Sequence, residues 1–205
     1  AFSSINFYLE KTNMNQSERQ LYLIDALLGE QPMGKGAFIP QGETERWNFL
    51  RSLFNIRMPK RASEKFIEIQ NEFLQEEIRK KGVTDISELE PIIDDIYLWK
   101  GDITTLKCGA IVNAANSELL GCFNPNHLCI DNTIHTYAGI QLRLECNDIM
   151  KAQGHSEPIG KAKITSAYNL PSKYIIHTVG PMIFNKVMKK DCDALESCYR
   201  SCLSL

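Results

Sequence analysis

Three side chains of the types that bind zinc lie close together in the middle of the chain. Cys122, His127 and Cys129 surround a turn that contains Pro125, at spacings of five and two residues. Thiolate and imidazole are ligands that Zn²⁺ prefers, and these spacings allow one loop to wrap around a single ion. Three protein ligands with an open position are typical of a catalytic zinc site, whereas a structural site is closed by four. The alternatives are a structural ion with a distant fourth ligand, or ordinary buried thiols.

The other cysteines and histidines show no comparable local pattern. The chain has seven cysteines, so a complete set of disulfides would leave one over, and we expect reduced thiols. Cys198 and Cys202 are four residues apart on a predicted helix, a spacing more typical of small core residues than of metal ligands. His177 is expected to be a hydrogen-bonded histidine within a strand. His135 follows Asp131 by four residues on the same helical face, where it either packs or supports the site.

The elements that position these residues change in character near residue 95. Before Pro91, apolar side chains recur at helical spacing in three stretches. The first begins at Ser17, the second includes Trp47, and the third begins at Ser63. After Pro91, short apolar strands alternate with helices, which is typical of an α/β layer with a largely parallel sheet. Ligands of such sheets bind at the carboxyl ends of the strands. The predicted strands are 110–112, 163–165 and 174–179, and the predicted helices are 134–149 and 191–205.

Composition and charge exclude several classes of protein. The 205 residues are 43% hydrophobic and 23% charged, the balance of a folded globular chain rather than a disordered one. A net charge of −2 gives no basic surface for nucleic acid or for an anionic membrane. No stretch has the roughly 18–20 apolar residues of a membrane span, and the N-terminus lacks the order of a secretory signal. We therefore expect a cytoplasmic protein without nucleic-acid or membrane partners.

Several segments of the second half, in order, resemble the macrodomain family. The matching segments are 101–104 (Gly-Asp-Ile-Thr), 111–121 (with Asn-Ala-Ala-Asn and Leu-Leu-Gly), 159–165 (Ile-Gly-Lys-Ala-Lys-Ile-Thr), 174–181 (Tyr-Ile-Ile-His-Thr-Val-Gly-Pro) and the helical 198–203. Residues 121–132 replace the Gly-rich stretch of most macrodomains. Together with the N-terminal helices, they look like the zinc-containing branch of the family that bacteria carry beside a specialised sirtuin.

The resemblance implies a fold and a domain organisation. Residues 93–205 would form the macrodomain core, with a mixed, largely parallel sheet flanked by helices. Residues 1–92 would form an N-terminal helical extension. Met14 offers an alternative start, in which case residues 1–13 would not be native.

An ADP-ribose pocket is also implied by the resemblance. Asp102 would accept a hydrogen bond from the adenine amino group, with help from the Ile103 backbone. Asn116 would hold the distal ribose, because an amide both donates to and accepts from hydroxyls, and Asn113 is assigned to the same pocket. Alternatively, Asp102 is an ordinary turn aspartate, and the two asparagines stabilise turns through hydrogen bonds to the backbone. This second alternative is stronger for Asn113 than for Asn116.

The resemblance further implies catalysis by Asp131 and Asn116. Asp131 aligns with the acidic residue that hydrolytic macrodomains place at the start of a helix, where a carboxylate can orient water or act as a base. Its alternative role is that of an N-cap. One zinc ion per chain, held by Cys122, His127 and Cys129, would either lower the pKa of a bound water to about 7 or orient the substrate.

Two classes of function follow. The first is a zinc-dependent protein-ADP-ribosyl hydrolase, which cleaves the C1″ bond joining mono-ADP-ribose to a protein side chain. The second is a module that binds ADP-ribose without turnover, and deacetylation of O-acetyl-ADP-ribose is a further enzymatic alternative. The three-ligand loop and Asp131 favour the hydrolase. The resemblance implies as partners a mono-ADP-ribosylated protein, such as a lipoyl carrier of the glycine-cleavage H type, and a sirtuin-type ADP-ribosyltransferase.

The family pattern continues beyond the last residue of the chain. After the helix matched at 198–203, macrodomains add a strand and a Ser-Thr-Gly-type loop that binds the diphosphate, then a helix and another strand. We therefore expect Leu205 to lie short of the family's C-terminus. A chain extended past Leu205 is expected to bind ADP-ribose more tightly, through backbone N–H groups around phosphate.

Overall fold

Three helices precede a mixed α/β layer in the computed structural model, which describes residues 14–32 and 36–205. The helices are α1 (Gln16–Gly29), α2 (Glu43–Ile56) and α3 (Glu64–Lys81). The interpretation of residues 1–13 as non-native lies outside the described residues. Within those residues, no helix combines the length and the apolar composition that crossing a bilayer requires.

The second half contains seven strands and three further helices among the described residues. It begins with short elements: β1 (Thr84–Asp85), a 3₁₀ turn (Ile86–Glu88), β2 (Pro91–Ile93), β3 (Ile96–Tyr97), a second 3₁₀ turn (Ile103–Thr105) and β4 (Leu106–Lys107). The longer elements follow: β5 (Ala110–Ala115), α4 (Ile130–Ala138), α5 (Ile140–Gln153), β6 (Ala162–Ser166), β7 (Tyr174–Val179) and α6 (Lys189–Leu203). The last helix thus begins and ends two residues earlier than predicted.

Local capping signals explain where the first helices begin. The Asn15 side chain accepts from the Glu18 N–H at 3.0 Å, and the Glu18 carboxylate accepts from the Asn15 N–H at 2.7 Å. This capping box makes Asn15 the N-cap of α1, so the prediction that the helix begins at Ser17, with Ser17 as its N-cap, was wrong. The predicted start of α3 at Ser63 is confirmed, because the Ser63 side chain caps its first turn. Gly82, at a φ of +84°, follows its last residue.

The main sheet is mixed, as predicted. Strand β7 lies at its centre, parallel to β5 on one side and antiparallel to β6 on the other. The β5–β7 register pairs Ala110 with Tyr174 and Ala115 with Val179. Exposed and buried residues alternate along β5, which buries Ile111 and Asn113. The short strands pair separately, β1 with β4 in parallel and β2 with β3 antiparallel.

The prediction of one helix over residues 134–149 was wrong, because two helices meet there. Gly139, between α4 and α5, has a φ of +96°, a backbone angle that residues other than glycine rarely adopt. A Cβ at this position would also lie 2.7 Å from Nε2 of Gln70 in α3. The apolar spacing runs on from Ala138 to Leu142 across the break, so periodicity alone did not reveal it.

The buried apolar side chains form two clusters. One lies among α1, α2 and α3 and includes Leu50 and Phe73. The other lies between the sheet and helices α4 and α5 and includes Ile175 and Tyr137. Trp47 packs against both, with its ring centroid 5.8 Å from that of Phe73 and 5.7 Å from that of Tyr137. The helical extension thus contacts the α/β core directly, and the boundary at residue 92 stays a prediction.

Candidate functional site

Asp131 lies in the first turn of α4, with a side chain that is only 8% exposed. Asn113 donates from Nδ2 to Asp131 Oδ1 at 2.8 Å, and Asn116 Nδ2 lies 3.4 Å from Asp131 Oδ2. Burial raises the pKa of this carboxyl, although the Asn113 hydrogen bond and the charge of Arg143 oppose the rise. The N-cap alternative for Asp131 was wrong, because the Cys129 side chain caps α4.

The two asparagines of the Asn-Ala-Ala-Asn segment have different surroundings. Asn113 is completely buried, and its Nδ2 also lies 3.1 Å from His177 Nδ1. Asn116 is exposed; its Oδ1 accepts from the Glu118 N–H at 3.0 Å, and its Nδ2 donates to the Gly121 carbonyl at 3.0 Å. Asn116, rather than Asn113, therefore stabilises a turn through hydrogen bonds to the backbone. The sequence had favoured this alternative for Asn113. The assignment of either residue to ADP-ribose stays a prediction.

Asp102 caps the 3₁₀ turn that precedes β4 and keeps part of its carboxylate exposed. One oxygen accepts from the Thr104 N–H at 2.9 Å, and the other accepts from Lys81 Nζ at 2.7 Å. Burial by itself would raise the pKa of Asp102, but the hydrogen bonds from Lys81 and Thr104 outweigh it and lower the pKa below its ordinary value. A surface groove runs past Asp102 and Trp99, while the adjacent Ile103 packs against the core.

Lys81 links the Asp102 turn to the helix that carries Asp131. Its ammonium nitrogen lies 3.4 Å from the ring centroid of Tyr137 in α4, in addition to its ion pair with Asp102. The 3₁₀ turn itself packs against α4. The structure thus brings the predicted adenine-binding segment and the predicted catalytic carboxylate onto neighbouring elements.

The three candidate metal ligands converge in the loop between β5 and α4. The ligand atoms of Cys122, His127 and Cys129 all lie within 4.8 Å of one another, and Cys122 Sγ is 3.6 Å from His127 Nδ1. A tetrahedral ion with Zn–S of about 2.3 Å and Zn–N of about 2.0–2.1 Å would separate these two atoms by about 3.6 Å. Burial raises the pKa of the Cys129 thiol, although the Asn132 N–H bond opposes the rise. The donors fit zinc, whose positive charge would favour the thiolate.

The helical extension holds this loop in place. Arg51 of α2 donates to the His127 carbonyl at 2.8 Å, and the Asn126 N–H donates to Oδ1 of Asn55, also in α2, at 2.9 Å. These partners lie 76 and 71 positions apart along the chain. Sequence reasoning missed Arg51 and Asn55, because no local pattern connects residues so far apart.

Arg143 of α5 is a second residue that sequence reasoning missed. Its guanidinium is buried and donates to the Leu120 carbonyl at 2.7 Å. Its other acceptors lie at the C-terminal end of α2 and are the carbonyls of Phe54, Asn55 and Arg57. The guanidinium carbon also lies 4.4 Å from the centroid of the Phe123 ring. Burial lowers the pKa of Arg143 to about 10, which leaves it charged at neutral pH.

Comparison with known proteins agrees with this geometry. Residues 112–205 match the Macro domain family model. The chain is 52% identical over 196 residues to the protein-ADP-ribose hydrolase of Treponema medium, covering 94% of this chain and 75% of that protein. It is 46% identical over 197 residues to the protein of the same name from Staphylococcus aureus (strain MSSA476), covering 95% of this chain and 74% of that protein.

A solved structure gives the same result for the fold. The Trypanosoma brucei macrodomain in complex with ADP-ribose aligns with a TM-score of 0.50 at 28% identity, over 80% of this chain and 68% of that one. The mixed α/β fold and the extent of sequence identity agree on the family of this chain. The chain belongs to the macrodomain family, in the group that includes the protein-ADP-ribose hydrolases.

Proposed function

We propose that this protein removes mono-ADP-ribose from modified protein side chains, at a site formed by Asp131, Asn116 and the loop 122–129. The observation that carries the proposal is a buried carboxylate, Asp131, placed two residues after a loop whose three donor atoms fit a zinc ion. A module that only binds ADP-ribose requires neither feature. The relatives named protein-ADP-ribose hydrolase support the same activity.

Three residues would hold the ADP-ribose part of the substrate. The exposed part of the Asp102 carboxylate would accept from the adenine amino group, and the Ile103 backbone would assist. Asn116 would hold the distal ribose. Its Oδ1 has a second lone pair that can accept from a sugar hydroxyl. Its second N–H points toward Asp131 Oδ2 at a long 3.4 Å, and it can donate to a sugar hydroxyl in place of that contact.

Asp131 would carry the proton transfer. Hydrolysis breaks the bond between C1″ and the protein side chain while a water oxygen bonds to C1″. The Asp131 carboxylate would orient this water and accept its proton, which then passes to the leaving side chain. The Asn113 hydrogen bond fixes Oδ1, and Oδ2 lies toward Asn116. Because burial raises the pKa of Asp131, its carboxylate is a stronger base than that of an exposed aspartate.

Cys122, His127 and Cys129 would hold one Zn²⁺ per chain. When bound, the ion would supply Lewis-acid polarisation of a substrate or water oxygen. The chain's own contribution is to keep the three donors converged. Arg51 and Asn55 do so through hydrogen bonds to the loop backbone.

Activity is tested by release of ADP-ribose from a mono-ADP-ribosylated protein. Asp131→Asn is expected to slow release by about 10²–10⁴-fold, the range for loss of a general base, while ADP-ribose binding by calorimetry is retained. The matched control is Asp193→Asn, a change at an exposed position of α6 that should leave release unchanged. Tight binding without release by the native protein would favour the binding module. Acetate release from O-acetyl-ADP-ribose alone would favour the deacetylase.

The metal is tested by elemental analysis of protein purified without added metal. The native protein should contain zinc that the Cys122→Ala/His127→Ala variant loses from the loop. Cys192→Ala is the control, because this exposed thiol lies outside the loop. Equal zinc in the native protein and the loop variant would contradict the loop assignment.

We further propose that the modified substrate is a lipoyl-carrier protein of the glycine-cleavage H type, modified by a sirtuin-type ADP-ribosyltransferase. This part rests on the resemblance to the zinc-containing branch. The test offers the protein two substrates at equal concentration, an ADP-ribosylated lipoyl carrier and an unrelated ADP-ribosylated protein. Faster release from the lipoyl carrier is expected, and equal rates would contradict the proposed substrate.

A further inference from the structure

A second group of metal-ligating side chains lies in the core of the α/β layer. His135 of α4, Cys146 of α5 and His177 of β7 place one ligand atom each within 4.8 Å of one another, and all three side chains are buried. Cys146 Sγ is 3.9 Å from His177 Nε2. This separation is close to the roughly 3.6 Å expected between a sulfur and a nitrogen ligand of a tetrahedral zinc ion.

His135 is the unusual member of this cluster. Its side chain is only 2% exposed, yet neither ring nitrogen has a hydrogen-bond partner in the described part of the chain. A neutral imidazole has one donor and one acceptor, and buried polar atoms are normally paired. The nearest carboxylate oxygen, Asp131 Oδ1, is 3.6 Å from His135 Nε2, too far for a hydrogen bond. A ligand inside the cluster would provide the missing partner.

The protonation states suit a cation. Burial lowers the pKa of His177 to about 4, and burial together with the charge of Arg143 lowers that of His135, so both rings are neutral. Neutral imidazole is the form that binds metals. Burial raises the pKa of Cys146 to about 12, so this thiol ionises at neutral pH only when a cation binds the sulfur.

The hydrogen bonds of His177 are compatible with ligation after one exchange. Its Nδ1 faces Asn113 Nδ2 at 3.1 Å, and its Nε2 faces Thr165 Oγ1 at 3.0 Å. Ligation through Nε2 would displace the Thr165 hydroxyl and needs the ring proton on Nδ1, with the Asn113 amide turned so that Oδ1 accepts it. This turn moves Asn113 Nδ2 away from Asp131 Oδ1, to which it otherwise donates at 2.8 Å. That Oδ1 is the buried oxygen of Asn113 and has no partner among the described residues. The turned amide would therefore exchange the hydrogen bond from Asn113 Nδ2 to Asp131 for one from His177 Nδ1–H to Asn113 Oδ1.

We propose that His135, Cys146 and His177 form a second cation site, separate from the loop 122–129, for a thiophilic divalent ion of the zinc class. Two imidazoles and one thiolate are ligands that Zn²⁺ prefers. Binding replaces the S–H bond of Cys146 by a metal–sulfur bond and releases the proton to solvent. The negative charges of the thiolate and of nearby Asp131 together balance the ion. Because the ligands come from α4, α5 and β7, the ion ties these elements together.

The test removes the loop ligands first, so that the two sites are counted separately. Each protein is loaded with Zn²⁺, dialysed and analysed for zinc. The native chain is expected to hold about two equivalents, and the Cys122→Ala/His127→Ala/Cys129→Ala variant about one. Adding Cys146→Ser to that variant should remove the remaining equivalent. Adding Cys198→Ala instead is the control, because this buried thiol of α6 lies outside the cluster.

Cobalt provides a spectroscopic test of the same assignment. Co²⁺ bound by the loop variant should show thiolate-to-metal charge-transfer absorption, which Cys146→Ser abolishes. A loop variant that holds neither zinc nor this absorption overturns the proposal, and so does absorption that persists after Cys146→Ser. If the Cys146→Ser protein fails to fold by circular dichroism, the zinc content and the cobalt spectrum of the loop variant decide alone. ADP-ribose release is not measured, so this outcome is independent of the proposed hydrolase activity.

Discussion

Replacing Arg143 by methionine is the most informative single change to the fold. Methionine keeps much of the apolar stem of arginine but none of its donors. The change leaves the Leu120 carbonyl and three carbonyls at the end of α2 without the guanidinium that now pairs with them. Because the last carbonyls of a helix have no partner within the helix, α2 depends on Arg143 for its C-terminal cap.

The magnitude follows from the number and burial of these contacts. A hydrogen bond to a charged group contributes about 1.5–3 kcal/mol, and removing one partner from a buried charged network costs about 3–5 kcal/mol. Four acceptors lose their donor, so we expect the free energy of unfolding to fall by about 4–5 kcal/mol. At about 2–4 °C per kcal/mol for a chain of this size, Tm should fall by about 8–20 °C.

Thermal unfolding followed by circular dichroism measures this change. Arg200→Met is the matched control, because the Arg200 side chain is 78% exposed and, among the described residues, pairs only with Glu196. It should shift the free energy of unfolding by no more than about 0.5 kcal/mol. Arg143→Lys keeps the charge but has fewer hydrogen-bond donors, so its Tm should lie between those of Arg143→Met and Arg200→Met. If Arg143→Met lowers Tm no more than Arg200→Met does, the carbonyls are hydrated and the capping argument is refuted.

Three further substitutions test other parts of the structure. Gly121→Ala should destabilise the protein by about 2 kcal/mol in urea unfolding, because its φ is +77° and a Cβ would lie 2.8 Å from His135 Cγ. Arg51→Ala removes the hydrogen bond to the His127 carbonyl and should weaken retention of the proposed loop zinc against a chelator by about 10-fold. Leu142→Ala empties a fully buried position and should lower the free energy of unfolding by about 2–5 kcal/mol.

Each of these substitutions has a control of the same type. Gly109→Ala adds a Cβ with no atom of residues 14–32 or 36–205 within 4 Å, apart from its chain neighbours. Arg61→Ala removes an exposed arginine, and Leu203→Ala truncates a leucine that is 87% exposed. Gly109→Ala and Leu203→Ala should match the native protein in stability, and Arg61→Ala should match it in zinc retention. A Gly121→Ala protein as stable as Gly109→Ala would mean that the loop can move away from His135. Unchanged zinc retention in Arg51→Ala would mean that the loop is rigid without α2, and a stable Leu142→Ala protein would mean that the core refills the space.

The sequence predicts those features of the fold that depend on neighbouring residues. Ser63 and Gly82 mark the ends of α3 because capping and left-handed turns are local. The strand around His177 is likewise visible as an apolar run. Gly139 shows the limit, because the break there depends on a backbone φ of +96°, which apolar spacing does not encode.

The candidate site shows the same division. The spacing of Cys122, His127 and Cys129 predicts that the three ligands can converge, because intervals of five and two residues let one loop wrap around a single ion. The alternative role in a turn applies to Asn116 rather than to Asn113. Asn113 is buried within β5 and donates to Asp131, whereas Asn116 follows the strand and accepts from the Glu118 N–H. That burial arises only when β5 pairs with β7 and packs against α4.

Trp47 has a consequence for how the protein unfolds. Its indole fills the contact between the two apolar clusters, against Phe73 on one side and Tyr137 on the other. Neither cluster can open without hydrating that ring, so the two should lose structure in one cooperative transition. Trp47→Ala would remove the shared side chain and weaken this coupling. The hydrogen bonds of Arg143 and Arg51 still join the helical extension to the core, so the single transition should broaden.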